Sequence, residues 1–314
     1  KAALLDVNVK AYKDISFSDP TLFSTSEQMQ GIGFGSFNKN QQRTFPAVIS
    51  GKEKDTSIKF YIGHPNDSYF RNKHEIKYDH IPYINYFTDA IVNSLNLDLK
   101  TDSKKIGYII GAGDKVPDAL EQMGYEVTLL TDKELSRNNL QQFDAIISGV
   151  RAYNTNEWLN KYYDKLMKYV NDGGNYIVQY NTNNFISAVK NKIGPYDFAI
   201  GRTRITDENA PVNFLKPEHP VLNFPNKITA DDFKGWVQER SVYHAANWDN
   251  KFETIFSMND PGEKTDDGSL IIAQYGKGYF TYTGLVFFRE LPAGVPGAYR
   301  LLANIIALNK KKAF

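Results

Sequence analysis

Cysteine is absent from the 314 residues of the chain. Without a thiol the protein forms no disulfide, holds no zinc thiolate site and supports no reaction that needs a cysteine nucleophile. An excess of one charge is absent too, because 37 Lys and Arg stand against 36 Asp and Glu, for a net charge of +1. Proteins that bind nucleic acid present a basic surface, so this balance argues against a nucleic-acid partner.

Long apolar runs are also missing, and no stretch reaches the length of a membrane span. The hydrophobic fraction is nevertheless 41%, and 20 Tyr and 20 Phe contribute most of an aromatic fraction of 14%. This composition is typical of a packed globular protein. The chain begins at Lys1 rather than at Met, so we expect a processed or trimmed product.

Residues 1–103 indicate a β-rich N-terminal subdomain, because short alternating runs are separated by turns rich in Gly, Asn, Ser and Asp. A dense aromatic segment, Tyr78–Phe87, leads into a possible helix over Thr88–Leu95. The predicted strands are Leu4–Val9, Thr44–Ile49 and Ser57–Ile62.

Lys105–Leu130 is the clearest unit of the sequence and predicts a strand, a turn, a helix and a second strand. Ile106–Ile110 is the short apolar run of a strand buried on both faces. Two glycines in Gly111-Ala112-Gly113-Asp114 permit a tight turn, and Asp114 is placed to cap the helix that follows. Gly124 ends that helix, and Glu126–Leu130 forms the second strand.

The same alternation continues and predicts an α/β domain over 104–314, with a parallel sheet covered by helices on both faces. A capping-box spacing at Asn154–Glu157 predicts a helix start, and residues 181–265 read as long excursions over the carboxyl edge of the sheet. The further predicted elements are a helix over Asp132–Leu140, strands over Phe143–Ser148 and Asn175–Gln179, a hairpin of Ser269–Gln274 with Gly278–Thr283, and a last helix from Pro296.

Gly111, Gly113 and Asp114 stand where open α/β sheets place ligands, at the end of a strand and the start of a helix. The spacing G-x-G lacks the third glycine of a dinucleotide fingerprint, because Val116 occupies that position. We therefore favour glycines chosen for a tight turn, and we predict no cofactor.

Ser148 follows the third predicted strand, the usual place of a nucleophile elbow. Such a serine normally has glycines two residues away on either side, whereas Ile146 and Val150 stand there. His219 and His244 are the histidines that could approach it as a base, but nothing in the sequence fixes them nearby. We favour a Ser148 that lines the cleft without acyl chemistry.

No metal site is expected. The run Gly63-His64-Pro65-Asn66-Asp67 has a superficial likeness to the strand-end motif of zinc deacetylases. One of the two carboxylates is replaced by Asn66, and no second histidine pair follows. We interpret it as a polar turn.

Tyrosines and asparagines follow the carboxyl ends of two predicted strands and should therefore converge on one cleft. Aromatic faces combined with amides suit a neutral polyhydroxy ligand. If Arg151 and Arg289 both face that cleft, an anionic group such as a uronate or a phosphate could also bind. The residues of this aromatic and amide cluster are Tyr153, Asn154, Tyr180, Asn181, Asn183 and Asn184.

Four long motifs carry a family resemblance over roughly residues 78–309. They resemble the C-terminal region of large PIG-L/LmbE-type deacetylase proteins of Bacteroidota-like bacteria, a class I glutamine-amidotransferase-like domain related to ThuA-like proteins. The resemblance implies a flavodoxin-like sheet. The motifs are IGYIIGAGDKVPDALEQMGYEVTLL, FDAIISGVRAYNTNE, HPVLNFPNKITADDFKGWVQER and YTGLVFFRELPAGVPGAYRLLANII.

The resemblance also implies where activity is missing. The deacetylase module would lie upstream of Lys1, and the amidotransferase nucleophile is a cysteine, for which Ser148 stands at the nearest matching position. The chain is thus expected to be a non-catalytic module that binds a carbohydrate-like ligand or assists a deacetylase in cis or in trans. Exported members of the family suggest a periplasmic or cell-surface location.

Two other functions remain open. One is a hydrolase of glycan or amide bonds that uses Ser148 with a histidine or carboxylate partner, which must lie within hydrogen-bond reach of Ser148 Oγ. The other is a structural oligomerisation domain that uses an exposed aromatic surface of the first hundred residues.

Overall fold

Two compact units, Lys1–Leu97 and Asp98–Phe314, divide the chain in a computed structural model. The structure describes residues 2–10, 21–24, 32–33, 38, 42–50, 56–62, 71–89, 91–95, 97–183, 189 and 192–310.

The described part of the first unit consists of β-strands. β1 pairs antiparallel with β4, β6 with β7, and four further strands form a sheet in the order β3-β2-β5-β8. The strands are β1 (Ala2–Lys10), β2 (Thr21–Ser24), β3 (Ile32–Gly33), β4 (Gln42–Ser50), β5 (Thr56–Ile62), β6 (Arg71–Ile76), β7 (Ile84–Asp89) and β8 (Ile91–Ser94).

The three strands predicted in this region lie within β1, β4 and β5. The helix predicted over Thr88–Leu95 is wrong, because β7 ends at Asp89 and β8 pairs antiparallel with β5. Ile91 and Val92 are β-branched, which favours a strand once a partner such as β5 is available. The β6–β7 hairpin leaves aromatic side chains in solvent, with Tyr83 51% and Phe87 52% exposed.

The second unit is built on a seven-stranded sheet in the order β10-β9-β11-β12-β19-β18-β16. Its first five strands are parallel. β18 pairs antiparallel with β19, and β16 pairs antiparallel with β18. The strands are β9 (Lys105–Ile109), β10 (Glu126–Leu129), β11 (Ala145–Ser148), β12 (Asn175–Gln179), β13 (Ala199–Ile200), β14 (Asn213–Phe214), β15 (Ala245–Ala246), β16 (Glu253–Thr254), β17 (Phe256–Ser257), β18 (Leu270–Tyr275) and β19 (Gly278–Thr283).

This mostly parallel sheet and its helices confirm the α/β class that was predicted for residues 104–314. Every residue of β11 and β12 is buried, as an interior parallel strand requires. The helices are α1 (Val116–Gln122), α2 (Asp132–Arg137), α3 (Ala152–Thr155), α4 (Tyr163–Asn171), α5 (Pro220–Asn223), α6 (Phe287–Glu290) and α7 (Pro296–Ile306), with 3₁₀ turns at Leu140–Gln142, Glu157–Tyr162, Ala230–Phe233 and Leu308–Lys310.

Neighbouring residues of β12 reach opposite layers, which shows that helices cover both faces. Tyr176 belongs to the apolar core that also contains Leu166 and Val170 of α4. Asn175 points the other way, and its Nδ2 donates to the carbonyls of Ile305 (2.7 Å) and Ile306 (3.0 Å) in α7. Side chains alternate across a strand, so this pair marks the two faces of the sheet.

Two predicted helix starts need correction. Lys115, and not Asp114, is the residue that immediately precedes α1, although Asp114 Oδ1 accepts a hydrogen bond from Val116 N at 3.0 Å. The capping box at Asn154–Glu157 does not form, because Asn154 lies inside α3 and its amide bonds to the main chain of Thr182. A tertiary partner has displaced the local cap.

Candidate functional site

The carboxyl edge of the sheet contains a topological switch point between β9 and β11. From β9 the chain proceeds to β10 on one side, and it then crosses to β11 on the other side of β9. The loop after β9 and the loop after β11 therefore lead to opposite sides of this edge. The loops touch, since Ala112 N donates to Val150 O at 2.8 Å. A Cβ added at Gly111 would lie 2.1 Å from that carbonyl oxygen, so Gly111 is needed for the close approach.

Asp114 connects β9 to the loop after β11 at this edge of the sheet. Its Oδ1 accepts from the Tyr108 hydroxyl at 2.7 Å, and its Oδ2 accepts from Val150 N at 3.3 Å. Burial, followed by the charge of Asp114, raises the pKa of Tyr108 well above its ordinary value, so the phenol remains a donor. Gly113 has φ +96° and open space around its missing Cβ, as a turn glycine does.

Ser148 lies inside the core rather than at an elbow. It is fully buried, and no imidazole or carboxylate among the described residues comes within hydrogen-bond reach of its Oγ. The nearby Tyr176 phenol, whose pKa burial raises to about 12, bonds instead to the Tyr153 hydroxyl at 2.8 Å. The geometry that a Ser148 hydrolase requires is therefore absent from the described part of the chain.

Arg151 occupies the strained strand-to-helix turn. Its backbone has φ 59° and ψ 24°, a left-handed conformation that costs a side-chain-bearing residue about 1–3 kcal/mol. It directly precedes α3, and its N–H donates to Tyr180 O at 2.8 Å. The residue presented where comparable sheets present a nucleophile is thus a guanidinium.

The predicted amide cluster holds the protein's own main chain. Asn181 Oδ1 accepts from Tyr153 N at 2.9 Å, and its Nδ2 donates to Gln179 O at 3.0 Å. Asn154 bonds to Thr182 through both amide atoms, and Asn183 Nδ2 donates to Ile200 O. These bonds stabilise the loop ends, and Asn184 lies outside the described residues. Ligand binding by this cluster remains a prediction.

Tyr180 is half-buried and sits among aromatic rings. Its ring stacks on Tyr243 with centroids 5.7 Å apart, and it lies 5.4 Å from the Phe288 ring. The Arg289 guanidinium lies over Phe288 at 4.8 Å. The structure therefore brings Arg151, Tyr180 and Arg289 together, the three residues that sequence reasoning placed in one cleft.

The two arginines differ in their charge environment. Arg289 Nε pairs with Glu239 Oε1 at 2.8 Å, and its Nη1 donates to Gln238 Oε1 at 2.8 Å. Arg151 pairs with no carboxylate in the described parts of the chain, and its Nε is buried without an acceptor. Burial raises the pKa of Tyr180, although the positive charges of Arg151 and Arg289 partly oppose that rise.

A cavity of about 570 Å³ opens at the same edge, over β9 and β10. This volume is typical of small-molecule sites. Its walls come from the loop after β9, from the start of α2 and from the 3₁₀ turn before α4. The lining residues are Ile110, Gly111, Leu130, Thr131, Asp132, Lys133, Ser136, Asn156, Trp158, Lys161 and Tyr162.

The polar wall of the cavity is organised around Asp132. Its Oδ2 pairs with Lys161 Nζ at 3.0 Å, and its Oδ1 accepts from the Tyr162 hydroxyl at 2.5 Å. These two bonds, the one from Tyr162 first, lower the pKa of Asp132 and keep the carboxylate ionised. The Trp158 ring meets Tyr162 edge-on at 6.2 Å and remains partly exposed.

Sequence reasoning missed this cavity apart from Gly111. Its residues come from three separate segments, and none of them forms a motif. The available signal was Trp158, an amphipathic ring in the 3₁₀ turn that follows α3.

A hydrogen-bonded relay of Ser241, His244 and Asp266 was also missed. His244 Nδ1 lies 2.5 Å from Asp266 Oδ1, and its Nε2 lies 2.7 Å from Ser241 Oγ. The connectivity is that of a hydrolytic triad, but both Ser241 and His244 are 0% exposed. His219, the other candidate base, caps α5 by accepting from Val221 N at 3.1 Å.

Within the described parts of the chain, no three His, Asp or Glu side chains are grouped closely enough to hold a metal ion. The motif at 63–67 lies outside the described residues, whereas His74 stacks on Tyr86 at 4.6 Å. Among the helices that the structure describes, none is long and apolar enough to cross a membrane.

Comparison with protein-family models finds no match, and no curated protein matches. Among solved structures, a ThuA-like protein from Bacteroides uniformis is 13% identical with a TM-score of 0.39, over 67% of this chain and 92% of that one. A β-galactosidase from Rahnella sp. R3 is 14% identical with a TM-score of 0.36, over 65% of this chain. A β-galactosidase from Bacillus circulans is 12% identical with a TM-score of 0.37, over 67% of this chain. The chain spans 31% of the length of each of these two galactosidases.

Proposed function

We propose that the second unit is a non-catalytic module that binds a carbohydrate in the cavity over β9 and β10. The observation that carries the proposal is the combination of a partly exposed Trp158 ring with an ionised, anchored Asp132 in one cavity of about 570 Å³. The proposal keeps the ligand class predicted from the sequence and moves its site to partly exposed residues that line the cavity.

The aromatic wall of the cavity, formed by Trp158, suits the apolar face of a sugar ring. The C–H face of a pyranose is apolar, and it packs on indole in the way that other apolar groups pack on aromatic faces. Trp158 is partly exposed, while Tyr162 holds it edge-on at 6.2 Å. Such a fixed ring loses little conformational entropy when a ligand covers it.

The polar wall of the cavity suits the hydroxyl groups of a sugar ring. Sugar hydroxyls both donate and accept, so they are matched by a carboxylate next to an ammonium group. Asp132 and Lys161 form such a pair at 3.0 Å, and Lys133 brings a second ammonium group to the same wall. Because one positive charge exceeds the negative charge there, a neutral or weakly acidic sugar fits best.

The test is a titration of the full chain with methyl β-D-glucopyranoside, followed by tryptophan fluorescence. We expect a saturable change with a dissociation constant in the range of about 1 mM, and a weakening of about tenfold in Trp158→Ala measured by calorimetry. Asp132→Asn should weaken binding by a similar factor, because it removes the charged acceptor.

Trp248→Phe is the matched control, since Trp248 packs against the core and does not line the cavity. It should bind like the wild type. A fluorescence change that persists in both Trp158→Phe and Trp158→Ala would place the sugar elsewhere and contradict the proposal. Calorimetric binding that neither substitution weakens would contradict it as well.

The biological setting is a further part of the proposal. The motif resemblance supports an accessory role to a PIG-L/LmbE-type deacetylase in a ThuA-like, flavodoxin-like domain, at the periplasm or cell surface. Co-purification with a deacetylase from the native organism, and the fraction that contains the chain after osmotic shock, test the two statements separately.

A hydrolase is the second candidate, and the Ser241–His244–Asp266 relay is the observation that favours it. Burial of the Ser241 hydroxyl opposes it, because a nucleophile must reach its substrate. We expect a fluorophosphonate probe to leave the folded chain unlabelled. Labelling that disappears in Ser241→Ala would establish the hydrolase instead.

A further inference from the structure

We infer that the Arg151 guanidinium and the Tyr180 hydroxyl form a binding site for an oxyanion, a carboxylate or a phosphate group carried by the ligand. The oxyanion site rests on its own contacts, whereas the statement that a sugar carries the oxyanion rests on the function proposed above. The site lies at the carboxyl ends of β11 and β12, next to the loop that lines the cavity.

The backbone presents Arg151 at a fixed point. Its left-handed conformation at φ 59° is held by the bond from its N–H to Tyr180 O at 2.8 Å. Its carbonyl accepts from Asn154 N at 2.9 Å and from Thr155 N at 3.1 Å. Strain of this kind persists only where surrounding contacts hold it, and it concentrates at binding and catalytic sites.

The same strain recurs around the site. Four non-glycine residues in the described part of the chain have a left-handed backbone, and Arg151, Gln238 and Tyr243 are three of them. Tyr243 stacks on Tyr180, and Gln238 accepts a hydrogen bond from Arg289. Arg151 and Tyr243 thus both contact Tyr180, and Gln238 is linked to the same cluster through Arg289.

The hydrogen-bonding capacity of the site is unused. Arg151 has no carboxylate partner among the described residues, and its Nε is a buried donor without an acceptor. A donor that is buried without an acceptor destabilises the folded protein until an acceptor binds it. No described residue hydrogen-bonds the Tyr180 hydroxyl, and its raised pKa keeps it protonated as a second donor.

The charges at the site favour an anionic group on the ligand. Arg289 is the second cation, but Glu239 neutralises it through the 2.8 Å pair. One positive charge at Arg151 is left uncompensated beside Tyr180. A guanidinium matches the two oxygens of a carboxylate or a phosphate, so the ligands expected are a uronate or a sugar phosphate.

The experiment is calorimetry of the full chain with D-glucuronate, D-glucose 6-phosphate, D-glucose and inorganic phosphate. We expect D-glucuronate or the sugar phosphate to bind about tenfold or more tightly than D-glucose at low salt, with the difference shrinking as salt screens the charge. Whichever acid binds more tightly identifies the source of the oxyanion.

Arg151→Ala should abolish that tenfold preference and leave D-glucose binding unchanged. Arg151→Gly, which suits a left-handed backbone, serves as the second variant should the alanine variant fail to fold. Arg204→Ala removes one exposed positive charge at another position and should retain the preference.

The outcomes separate the two proposals. If D-glucose binds but the acids bind no better, or if Arg151→Ala keeps the preference, the oxyanion site is wrong and the carbohydrate module stands. If no sugar binds while inorganic phosphate binds to the wild type and not to Arg151→Ala, the oxyanion site stands and the carbohydrate module is wrong. Binding of none of the four probes contradicts both.

Discussion

Single residues decide the chemistry at the carboxyl edge of this sheet. Ser148 was the candidate nucleophile, yet it points into the core, where a strand residue facing α4 has to point. Arg151, three residues later, is the residue that the turn leaves partly exposed. Because the exposed residue is Arg151 and not Ser148, the edge of the sheet presents a guanidinium where a hydroxyl had been predicted.

The conformation of Arg151 makes a prediction about stability. Glycine adopts φ 59° without steric cost but loses more backbone entropy on folding, and the two effects nearly cancel. We expect Arg151→Gly to keep the free energy of unfolding within about 0.5 kcal/mol of the wild type, whereas Arg151→Val should lower it by about 1–3 kcal/mol. Urea denaturation of both variants is the measurement, and equal destabilisation would contradict a left-handed Arg151.

Asp266 makes a prediction about pH. Burial tends to raise the pKa of its carboxyl, but the hydrogen bond from His244 and the attraction to that ring outweigh burial and lower it. A carboxyl whose pKa is lower in the folded state stabilises the protein above its unfolded pKa, and this contribution is lost as pH falls through the folded value.

Asp266→Asn should therefore lower the free energy of unfolding by about 1–3 kcal/mol at pH 7. The difference between variant and wild type should become smaller as the pH falls towards 3. Urea unfolding at a series of pH values measures it. Asp267→Asn, a change to the neighbouring carboxylate outside the relay, is the control. A difference that stays constant between pH 7 and pH 3 would show that the Asp266 carboxylate does not interact in this way.

Strands are the elements that the sequence predicts best. Asn175–Gln179 was predicted as a strand of the parallel sheet and Gly278–Thr283 as half of a hairpin, and the structure has both with the same bounds. Helix starts were predicted less well, because Asn154 has a tertiary partner, Thr182, that no local pattern reveals. The helix over Thr88–Leu95 failed because pairing with β5 overrides local propensity.

Some residues of the candidate site were likewise predictable from the sequence and others were not. Arg151, Tyr180 and Arg289 were predictable because the carboxyl ends of neighbouring strands converge in any sheet of this kind. The asparagines were misleading, since whether an amide faces a ligand or its own main chain depends on loop conformation. The cavity with Trp158 and Asp132 depends on how two helical turns pack, which a sequence pattern does not encode.

Asn175 tests how β12 is joined to α7. Its Nδ2 bonds to two carbonyls at the end of α7, groups that have no partner within the helix. Asn175→Leu has a similar volume but removes both of these hydrogen bonds, so we expect a loss of about 1–3 kcal/mol in the free energy of unfolding. Asn171→Leu, at an exposed position at the end of α4, serves as the comparison, and equal losses would contradict the anchoring role.

At the scale of the whole molecule, the two units carry different surfaces. The first unit exposes the aromatic β6–β7 hairpin, with Tyr83 51% and Phe87 52% exposed, and the second holds the candidate sites. Oligomerisation through the hairpin thus remains a prediction that is separate from ligand binding.

Replacement of Tyr83 and Phe87 by serine distinguishes these functions. The proposed function predicts that sugar binding is unchanged, whatever the mass measured by light scattering. An oligomerisation domain predicts a multiple of 35.7 kDa that falls to a single chain in the double variant. Loss of sugar binding together with loss of mass would contradict a binding module confined to the second unit.

The most direct test of the central claim is a crystal structure of the full chain soaked with methyl β-D-glucopyranoside. The account predicts a pyranose in the cavity over β9 and β10, its C–H face within about 4.5 Å of the Trp158 ring and its hydroxyls on Asp132. A sugar bound at another surface, or an accessible cavity that remains empty at saturating sugar, would contradict it.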